Sequence, residues 1–361
     1  MIYLDYQATT PLAPEAQAAM RPWLEEKFAN PHSPHKLGRE AAAVVEVARE
    51  QVLATLGGGG KLHFTSGATE AANWALKGSG KRRIVTLATE HACVLDSVEW
   101  LAGQGHEIDI LPVGADGLVD LNLVEERVSD GTGLVAAMLV NNEIGVIQPV
   151  AEIARIAHAK GALFFCDAVQ GFGRVQLPRE SCDLVALSAH KIHGPKGIGA
   201  LWVRDGIALE PFMHGGGQEG GLRSGTLSPM LCAGFGAAAS LLGGDAGHVE
   251  RLWAMACEMM PDWTLNGATD SRYHGNLNLR RDGVDAARLI SELREVAFSA
   301  GSACASGSGR SSHVLAALGL TDREARASIR LGFGRYTGED ELRTALGMIR
   351  EAAERQVKFA A

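Results

Sequence analysis

Short apolar runs recur between residues 60 and 205, and helical patterns separate them. The runs occupy residues 62–65, 84–88, 134–140, 163–166, 184–187 and 200–203. Continuously apolar strands that alternate with crossover helices are typical of a mostly parallel sheet that is covered on both faces. We therefore predict an α/β fold in which helices flank a central, mostly parallel sheet.

The length of the chain predicts a second, smaller unit. A chain of 361 residues exceeds an ordinary single domain. The sequence Gly243-Gly244-Asp245 interrupts the pattern after an apolar helix near residues 230–242, and we place the domain boundary there. Residues 12–245 are predicted to form the large domain. Residues 1–11 and 246–361 are predicted to form a smaller α+β domain, with a strand at 276–279, a helix through 286–293 and a final amphipathic helix.

Charge and cysteine usage exclude several classes of protein. The formal net charge of -8 leaves no general basic field, which argues against a nucleic-acid surface. Residues 1–10 lack the order of a secretory signal, and the apolar stretch at 230–242 is too short to span a bilayer, so we expect a cytoplasmic protein. The six cysteines include no CxxC pair, so neither a metal site nor a disulfide framework is indicated. All except Cys304 are expected to be buried.

Two lysines follow the apolar run at 184–187, in the stretch Ser188-Ala189-His190-Lys191-Ile192-His193-Gly194-Pro195-Lys196-Gly197. A lysine fixed at a strand end is where a Schiff base to an aldehyde cofactor could form. Lys191 lies nearer the strand and between polar donors, whereas Lys196 stands between Pro195 and Gly197. Most lysines are solvated surface charges, and this interpretation applies to both.

Polar residues follow other predicted strands at what should be the same edge of the sheet. Asp167 comes after the run at 163–166 and could hold a pyridine nitrogen protonated, with Gln170 near a phenolic oxygen of the same ring. Taken alone, the pattern favours an Asp that caps the next helix. Thr69 follows a glycine turn at a helix start, which could cradle a phosphate or simply be a capped helix.

Three more side chains are candidates for contacts with a ligand. His91 follows the run at 84–88 and could stack on a planar ring or transfer protons, although a lone histidine is more often structural. Asn142, within Asn141-Asn142-Glu143, offers polar groups or forms an Asx turn. Arg330 lies in a strand-like run, where a guanidinium suits either capture of a substrate carboxylate or a structural ion pair.

Cys304 lies among small residues, in Ser299-Ala300-Gly301-Ser302-Ala303-Cys304-Ala305-Ser306-Gly307-Ser308-Gly309. A thiol on such an arm can visit a site, take a group and leave. The alternative is a linker that happens to contain a cysteine. An unpaired thiol in this setting invites oxidation, so its presence requires a reason.

Taken together, the motifs closely resemble the cysteine desulfurases of the nitrogen-fixation and iron–sulfur-assembly type, within the class V aminotransferase superfamily of fold-type-I pyridoxal phosphate enzymes. The resemblance runs nearly from end to end. Its motifs are Tyr3-Leu4-Asp5-Tyr6, Thr65-Ser66-Gly67-Ala68-Thr69-Glu70, Glu90-His91, Asn141-Asn142-Glu143, Asp167 with Gln170, His190-Lys191, Gly215-Gly216-Gly217-Gln218-Glu219, Arg223-Ser224-Gly225-Thr226 and Gly301-Ser302-Ala303-Cys304.

This resemblance implies a fold, a cofactor and a set of site residues. The cofactor is pyridoxal 5'-phosphate, bound covalently by Lys191, with His91 on its ring and Asp167 and Gln170 on the pyridine nitrogen and phenolic oxygen. Arg330 would bind the substrate carboxylate. Further cofactor contacts are implied for Ala68, Thr69, Ser188, His190, Asn142, which would also contact substrate, and Thr226 of a neighbouring subunit. A homodimer follows from the last of these, and no metal is implied.

The implied reaction converts L-cysteine to L-alanine and leaves the sulfur as a persulfide on Cys304. An acceptor protein would then receive the sulfur for iron–sulfur cluster or thio-cofactor biosynthesis. A related selenocysteine lyase or aminotransferase is one alternative, but transamination needs no mobile thiol. A non-catalytic scaffold is another, although such a protein would have no use for Lys191, Asp167, His91 and Cys304 together.

Overall fold

A seven-stranded sheet forms the centre of the larger part of the computed structural model, which describes residues 1–300 and 312–360. Its order is β2-β8-β7-β6-β5-β3-β4, and a four-stranded sheet has the order β12-β13-β10-β9. The strands are β1 Ile2–Tyr3, β2 Lys61–Thr65, β3 Arg83–Leu87, β4 Glu107–Leu111, β5 Leu134–Met138, β6 Leu163–Asp167, β7 Leu184–Ser188, β8 Gly199–Val203, β9 Thr264–Leu265, β10 Asn276–Arg280, β11 Val296–Ala297, β12 Ser299–Ala300 and β13 Ser328–Gly332.

The helices lie mainly between these strands. They are α1 Pro14–Glu25, α2 Lys36–Thr55, α3 Ala68–Gly78, α4 Ala92–Gly103, α5 Leu121–Arg127, α6 Val150–Ala159, α7 Pro229–Ala239, α8 Ala246–Met259, α9 Ala286–Glu292, α10 His313–Ala317, α11 Asp322–Arg326 and α12 Glu339–Ala360. No helix in the described ranges combines the length and apolar character needed to cross a membrane.

Strand direction confirms the predicted mostly parallel sheet. Strands β4, β3, β5, β6 and β7 pair in parallel, and only β8 runs against both of its neighbours, β7 and β2. The smaller sheet is antiparallel throughout, and β1 pairs with β11 in parallel. Strand β4 was not predicted from the sequence, and Leu111 is its only buried residue.

Both faces of the central sheet are buried because neighbouring side chains of a strand point to opposite faces. In β6, Phe164 belongs to one apolar cluster and Phe165 to the other, and both are completely buried. A separate cluster packs α8, α9 and α12 on the four-stranded sheet and includes Leu4 from the N-terminal segment. The loops at the carboxyl ends of the parallel strands are thereby held on a rigid base.

Helix α2 shows how the sequence ends an element. Val45, Ala48 and Val52 form its buried stripe. The run Gly57 to Gly60 follows, and all four glycines have φ between 69° and 80°. Residues with a Cβ rarely adopt this left-handed region, so the glycines both stop the helix and turn the chain into β2.

Candidate active site

A cavity of about 440 Å³ opens at the carboxyl ends of the parallel strands. Every residue predicted for the site lines it except two: Thr226 is exposed and lies elsewhere on this chain, and Cys304 lies outside the described residues. The predicted residues that it gathers are Ala68, Thr69, His91, Asn142, Asp167, Gln170, Ser188, His190, Lys191 and Arg330.

Lys191 ends a short 3-10 turn, Ala189–Lys191, that follows β7. Its Nζ atom donates to the backbone oxygens of Gln7 and Ala8, at 2.5 and 2.9 Å. The amine is half-buried, while the competing Lys196 is exposed at the rim of the same cavity. Lys191 is therefore the lysine whose amine is held at a defined place within the cavity.

Asp167 is the last residue of β6 and is buried. Its Oδ1 atom accepts a hydrogen bond from the backbone N–H of Val169 at 3.0 Å, and residues 169–174 form turns. The interpretation of Asp167 as a helix cap is therefore wrong. Burial raises the pKa of this carboxyl, although the hydrogen bond from Val169 and the electrostatic effects of His91 and Lys191 oppose that rise. A pyridinium N–H beside it would supply a positive partner that favours the carboxylate.

His91 caps helix α4, because its Nδ1 atom accepts from the backbone N–H of Cys93 at 3.1 Å. Burial lowers its pKa below the ordinary histidine value, and Asp167 only partly opposes this. In the neutral ring the proton then resides on Nε2. The structural and chemical interpretations of His91 are compatible, since capping involves only one of the two ring nitrogens, Nδ1.

The start of α3 offers a place for an anion. No side chain caps its N-terminus at Gly67, and the space where a Cβ of Gly67 would lie is open. Free N–H groups in the first turn of a helix bind phosphate well. Ala68 and Thr69 line the same cavity as Lys191.

Ser188 precedes the turn that carries Lys191, and His190 lies within that turn. The Nδ1 atom of His190 lies 3.2 Å from the hydroxyl of Thr9. Burial, followed by the charge of Lys191, lowers the pKa of His190 to about 4. The imidazole is therefore neutral near pH 7 and would contact a phosphate through hydrogen bonds.

Arg330 lies in β13 and is almost completely buried, with only 1% of its surface exposed. It donates to Asp5 Oδ1 at 2.9 Å and to the backbone oxygen of Asn142 at 3.1 Å, while its Nε atom has no hydrogen-bond partner in the described structure. Asp5 also accepts from the hydroxyl of Ser299 at 3.0 Å. Arg330 thus forms the expected structural ion pair. It also lines the cavity, as binding of a substrate carboxylate requires.

Asn141 and Asn142 have different functions in the turn after β5. The side-chain oxygen of Asn141 accepts from the backbone N–H groups of Glu143 and Ile144, at 2.8 and 3.0 Å, which is the Asx turn. Asn142 instead lines the cavity. The sequence predicted both an Asx turn and a residue that contacts a ligand, but it did not show that these are two different asparagines.

Several residues that line the cavity were not predicted from the sequence. Gln7, Ala8 and Cys93 line it, and the first two directly follow the Tyr3–Tyr6 motif. Burial raises the pKa of the Cys93 thiol. The expectation for the remaining cysteines is wrong at Cys257, which is exposed, and holds at Cys93, Cys166, Cys182 and Cys232.

The residues of the cavity fit pyridoxal phosphate. They offer an amine held in place, a buried carboxyl, an imidazole whose pKa is lowered by burial, and a helix start without a side-chain cap. This donor set matches an aldehyde, a pyridine nitrogen, an aromatic ring and a phosphate.

A family model described as "Aminotransferase class-V" matches residues 2–344. The chain belongs to the class-V aminotransferase family. Cysteine desulfurase IscS of Rickettsia bellii (strain OSU 85-389) is 44% identical over 368 aligned positions, which cover 96% of this chain and 90% of that protein. The corresponding protein of Rickettsia typhi is 42% identical with the same coverage.

Solved structures with a similar fold support the same family assignment for this class-V aminotransferase. A NifS-like protein matches with a TM-score of 0.90 and 32% identity, covering 98% of this chain and 99% of that one. SspA in complex with cysteine matches with a TM-score of 0.85 and 34% identity, covering 94% and 100%. The predicted fold-type-I architecture is therefore confirmed, as is the dependence on pyridoxal phosphate that the family shares.

Proposed function

We infer that this chain is a pyridoxal-phosphate-dependent cysteine desulfurase, which converts L-cysteine to L-alanine and retains the sulfur as a persulfide. The relatives that carry this activity in their names align with nearly the whole chain. The observation that carries the chemistry is a single cavity shared by the Lys191 amine and the Asp167 carboxyl. An amine for the aldehyde and an acid for the pyridine nitrogen are the two groups that this cofactor needs most.

When bound, pyridoxal phosphate supplies an electron-withdrawing ring that stabilises negative charge on the α-carbon of the amino acid. Asp167 holds the proton on the pyridine nitrogen that gives the ring this property. Lys191 would hold the cofactor through Nζ, and the same amine, when not bonded to the cofactor, would accept the proton from the α-carbon of the substrate. His91 moves protons at the substrate through Nε2, and Arg330 binds the substrate carboxylate.

The sulfur leaves the substrate by transfer to a protein thiol. We propose that the Cys304 thiolate attacks the substrate sulfur, so that the bond between sulfur and the β-carbon breaks as a sulfur–sulfur bond forms. A proton returns to the carbon skeleton, and alanine is released. The persulfide on Cys304 is then passed to an acceptor protein.

Assembly of the site would involve a second copy of the chain. We propose a homodimer in which Thr226 of the neighbouring subunit completes the phosphate contacts; its exposure on this chain supports that arrangement. We also propose that residues 12–245 form the large domain and residues 1–11 and 246–361 the small one. The apolar cluster that unites Leu4 with residues 252–353 supports this division.

One experiment tests the proposed function and separates the two candidate lysines. Purified protein with pyridoxal phosphate should be yellow and should form alanine and sulfide in equal amounts from L-cysteine in the presence of a thiol reductant. Borohydride reduction followed by peptide mass spectrometry should place the cofactor on Lys191, and a Lys191→Ala variant should carry none. A colourless protein, or label on Lys196, would contradict the proposal.

A further inference from the structure

Arg174 lies behind the proposed active site and contacts two of its residues. It follows Gln170 by one helical turn in sequence, within the turns at 169–174. Its NH1 atom donates to the side-chain oxygen of Gln170 at 2.5 Å, and its NH2 atom donates to the backbone oxygen of Lys191 at 2.6 Å. One guanidinium thereby links the two elements that carry Gln170 and Lys191.

The partners of Gln170 fix the orientation of its amide. Its oxygen faces Arg174, which can only donate, and its nitrogen donates to the backbone oxygen of Gln7 at 2.9 Å, which can only accept. A flipped amide would bring donor against donor and acceptor against acceptor. The contacts therefore allow one orientation.

This orientation places an N–H group on the cavity side. Gln7 and Gln170 both line the site cavity, whereas Arg174 lines a separate cavity on its other side, where its guanidinium lies 5.3 Å from the ring centre of Tyr273. The oxygen of Gln170 therefore points away from the site. Its nitrogen has a second hydrogen that Gln7 does not use, and this hydrogen remains for a ligand.

We propose that Arg174 is a positioning residue, which orients and polarises the Gln170 amide so that it donates to the phenolic oxygen of the bound cofactor. The inference rests on the proposed function, because it assigns Gln170 to that oxygen. A cationic donor on the amide oxygen strengthens the N–H group as a donor, since hydrogen bonds in a chain polarise one another.

The visible absorption of the bound cofactor gives a measure of this interaction. A hydrogen bond donated to the phenolic oxygen favours its charged form, so a weaker donor raises the pH at which the visible absorption band changes. We expect Arg174→Met to raise this midpoint by about one pH unit, the effect of losing a typical hydrogen bond. Gln170→Met should raise it at least as far.

A double-mutant cycle shows whether Arg174 acts through Gln170. The variant that carries both Arg174→Met and Gln170→Met should have the midpoint of Gln170→Met alone, because no amide is left to orient. The same titratable groups face the cavity in all members of the cycle: His91, Cys93, Asp167, His190, Lys191, Lys196 and Arg330. Their contributions therefore cancel in the comparison.

Arg179→Met is the matched control. Arg179 lines the same outer cavity as Arg174, but its guanidinium lies over the ring of Trp202, at 5.3 Å from the ring centre. Its loss should leave the midpoint unchanged. Arg174→Lys keeps the charge but cannot bind two acceptors at once, so it should give an intermediate midpoint. It also provides a second variant if Arg174→Met does not fold.

The outcomes separate this inference from the proposed function. A wild-type protein that stays colourless with pyridoxal phosphate would overturn both. A yellow wild type with active turnover, together with an Arg174→Met midpoint equal to that of the wild type, would overturn the positioning of Gln170 alone. Additive shifts in the double variant would likewise show that Arg174 does not act through Gln170.

Discussion

Arg330 is a buried cation whose charge is matched by a carboxylate from the other end of the chain. Asp5 is 325 residues away in sequence, yet its Oδ1 atom lies 2.9 Å from the guanidinium. Removing one member of a buried ion pair leaves the other charge without compensation. The position of Arg330, and therefore its proposed contact with the substrate carboxylate, depends on Asp5.

We expect Asp5→Asn to raise KM for L-cysteine by about tenfold, equivalent to about 1.4 kcal/mol, with a smaller change in kcat. The asparagine keeps the shape but not the charge that orients Arg330. Steady-state kinetics with a cofactor-saturated enzyme would measure this. Ser299→Ala is the matched control, because it removes the other hydrogen bond to Asp5 Oδ1 and leaves the ion pair intact. An equal rise of KM in both variants would contradict the argument.

Two cysteines are candidates for the sulfur-accepting thiol: Cys304 from its sequence context and Cys93 from its place at the cavity. Cys93 lines the cavity, but burial raises the pKa of its thiol and keeps it protonated. We expect Cys304→Ala to reduce sulfide release from L-cysteine to about a hundredth or less while the yellow colour persists. Cys93→Ala should retain activity within about threefold. Sulfide and alanine assays on both variants would check this, and the opposite ranking would assign the persulfide to Cys93.

Residues at strand ends could be predicted from the sequence because the signal is local. Asp167 and Lys191 each follow an apolar run, and parallel strands bring such positions to one edge. The partner of Arg330 could not be predicted in this way. Its pairing with Asp5 depends on the approach of the N-terminal segment to β13, which leaves no periodic pattern in either segment.

At the scale of elements, the first residue of β8 supports the turn at Gly67 that we propose to bind the phosphate. A Cβ on Gly199 would lie 2.5 Å from the backbone oxygen of Leu187 and 2.8 Å from the Cα atom of Gly67. Backbone atoms in a paired strand cannot move aside cheaply. The close approach of β8 to Gly67 therefore fixes the start of α3 over the sheet.

We expect Gly199→Ala to lower the free energy of unfolding by about 2 kcal/mol and to weaken binding of pyridoxal phosphate. Denaturant unfolding and titration of the apoprotein with the cofactor would measure the two effects. Gly103→Ala is the matched control, since the same methyl group there meets open space at the end of α4. Similar losses in both variants would show that the contact with Gly67 is not responsible.

Strand β4 shows why one element of the sheet was not predicted. It pairs only with β3 at the sheet edge, and only Leu111 is fully buried. The charged residues Glu107 and Asp109 alternate with Ile108 and Ile110 in this edge strand, so no continuous apolar run marks it. Continuous apolar runs therefore mark the central strands of the sheet but not β4.

At the scale of the whole molecule, the N-terminal segment joins the four-stranded sheet, where Asp5 forms a bridge with Gly332 of β13, to the turn after β7. Strand β1 pairs with β11, while Thr10 and Pro11 bind the turn after β7. His193 lies at this junction with φ of 67°, its Nδ1 atom 3.0 Å from the backbone oxygen of Pro11 and its ring against Tyr6 and Tyr336. The stability of the junction therefore depends on the protonation of this ring.

Burial lowers the pKa of His193 to about 4 from its ordinary value of 6.5. The unfolded chain therefore binds a proton there below about pH 6.5 while the folded protein does not, so the free energy of unfolding falls as the pH falls towards 4. His193→Asn keeps a residue that tolerates positive φ and removes the titration. Between pH 7 and pH 5 we expect the wild type to lose about 2 kcal/mol more than the variant, because the other titratable groups contribute equally to both proteins. Urea unfolding at the two pH values would measure this difference, and an equal loss in both proteins would show that His193 does not link the junction to pH.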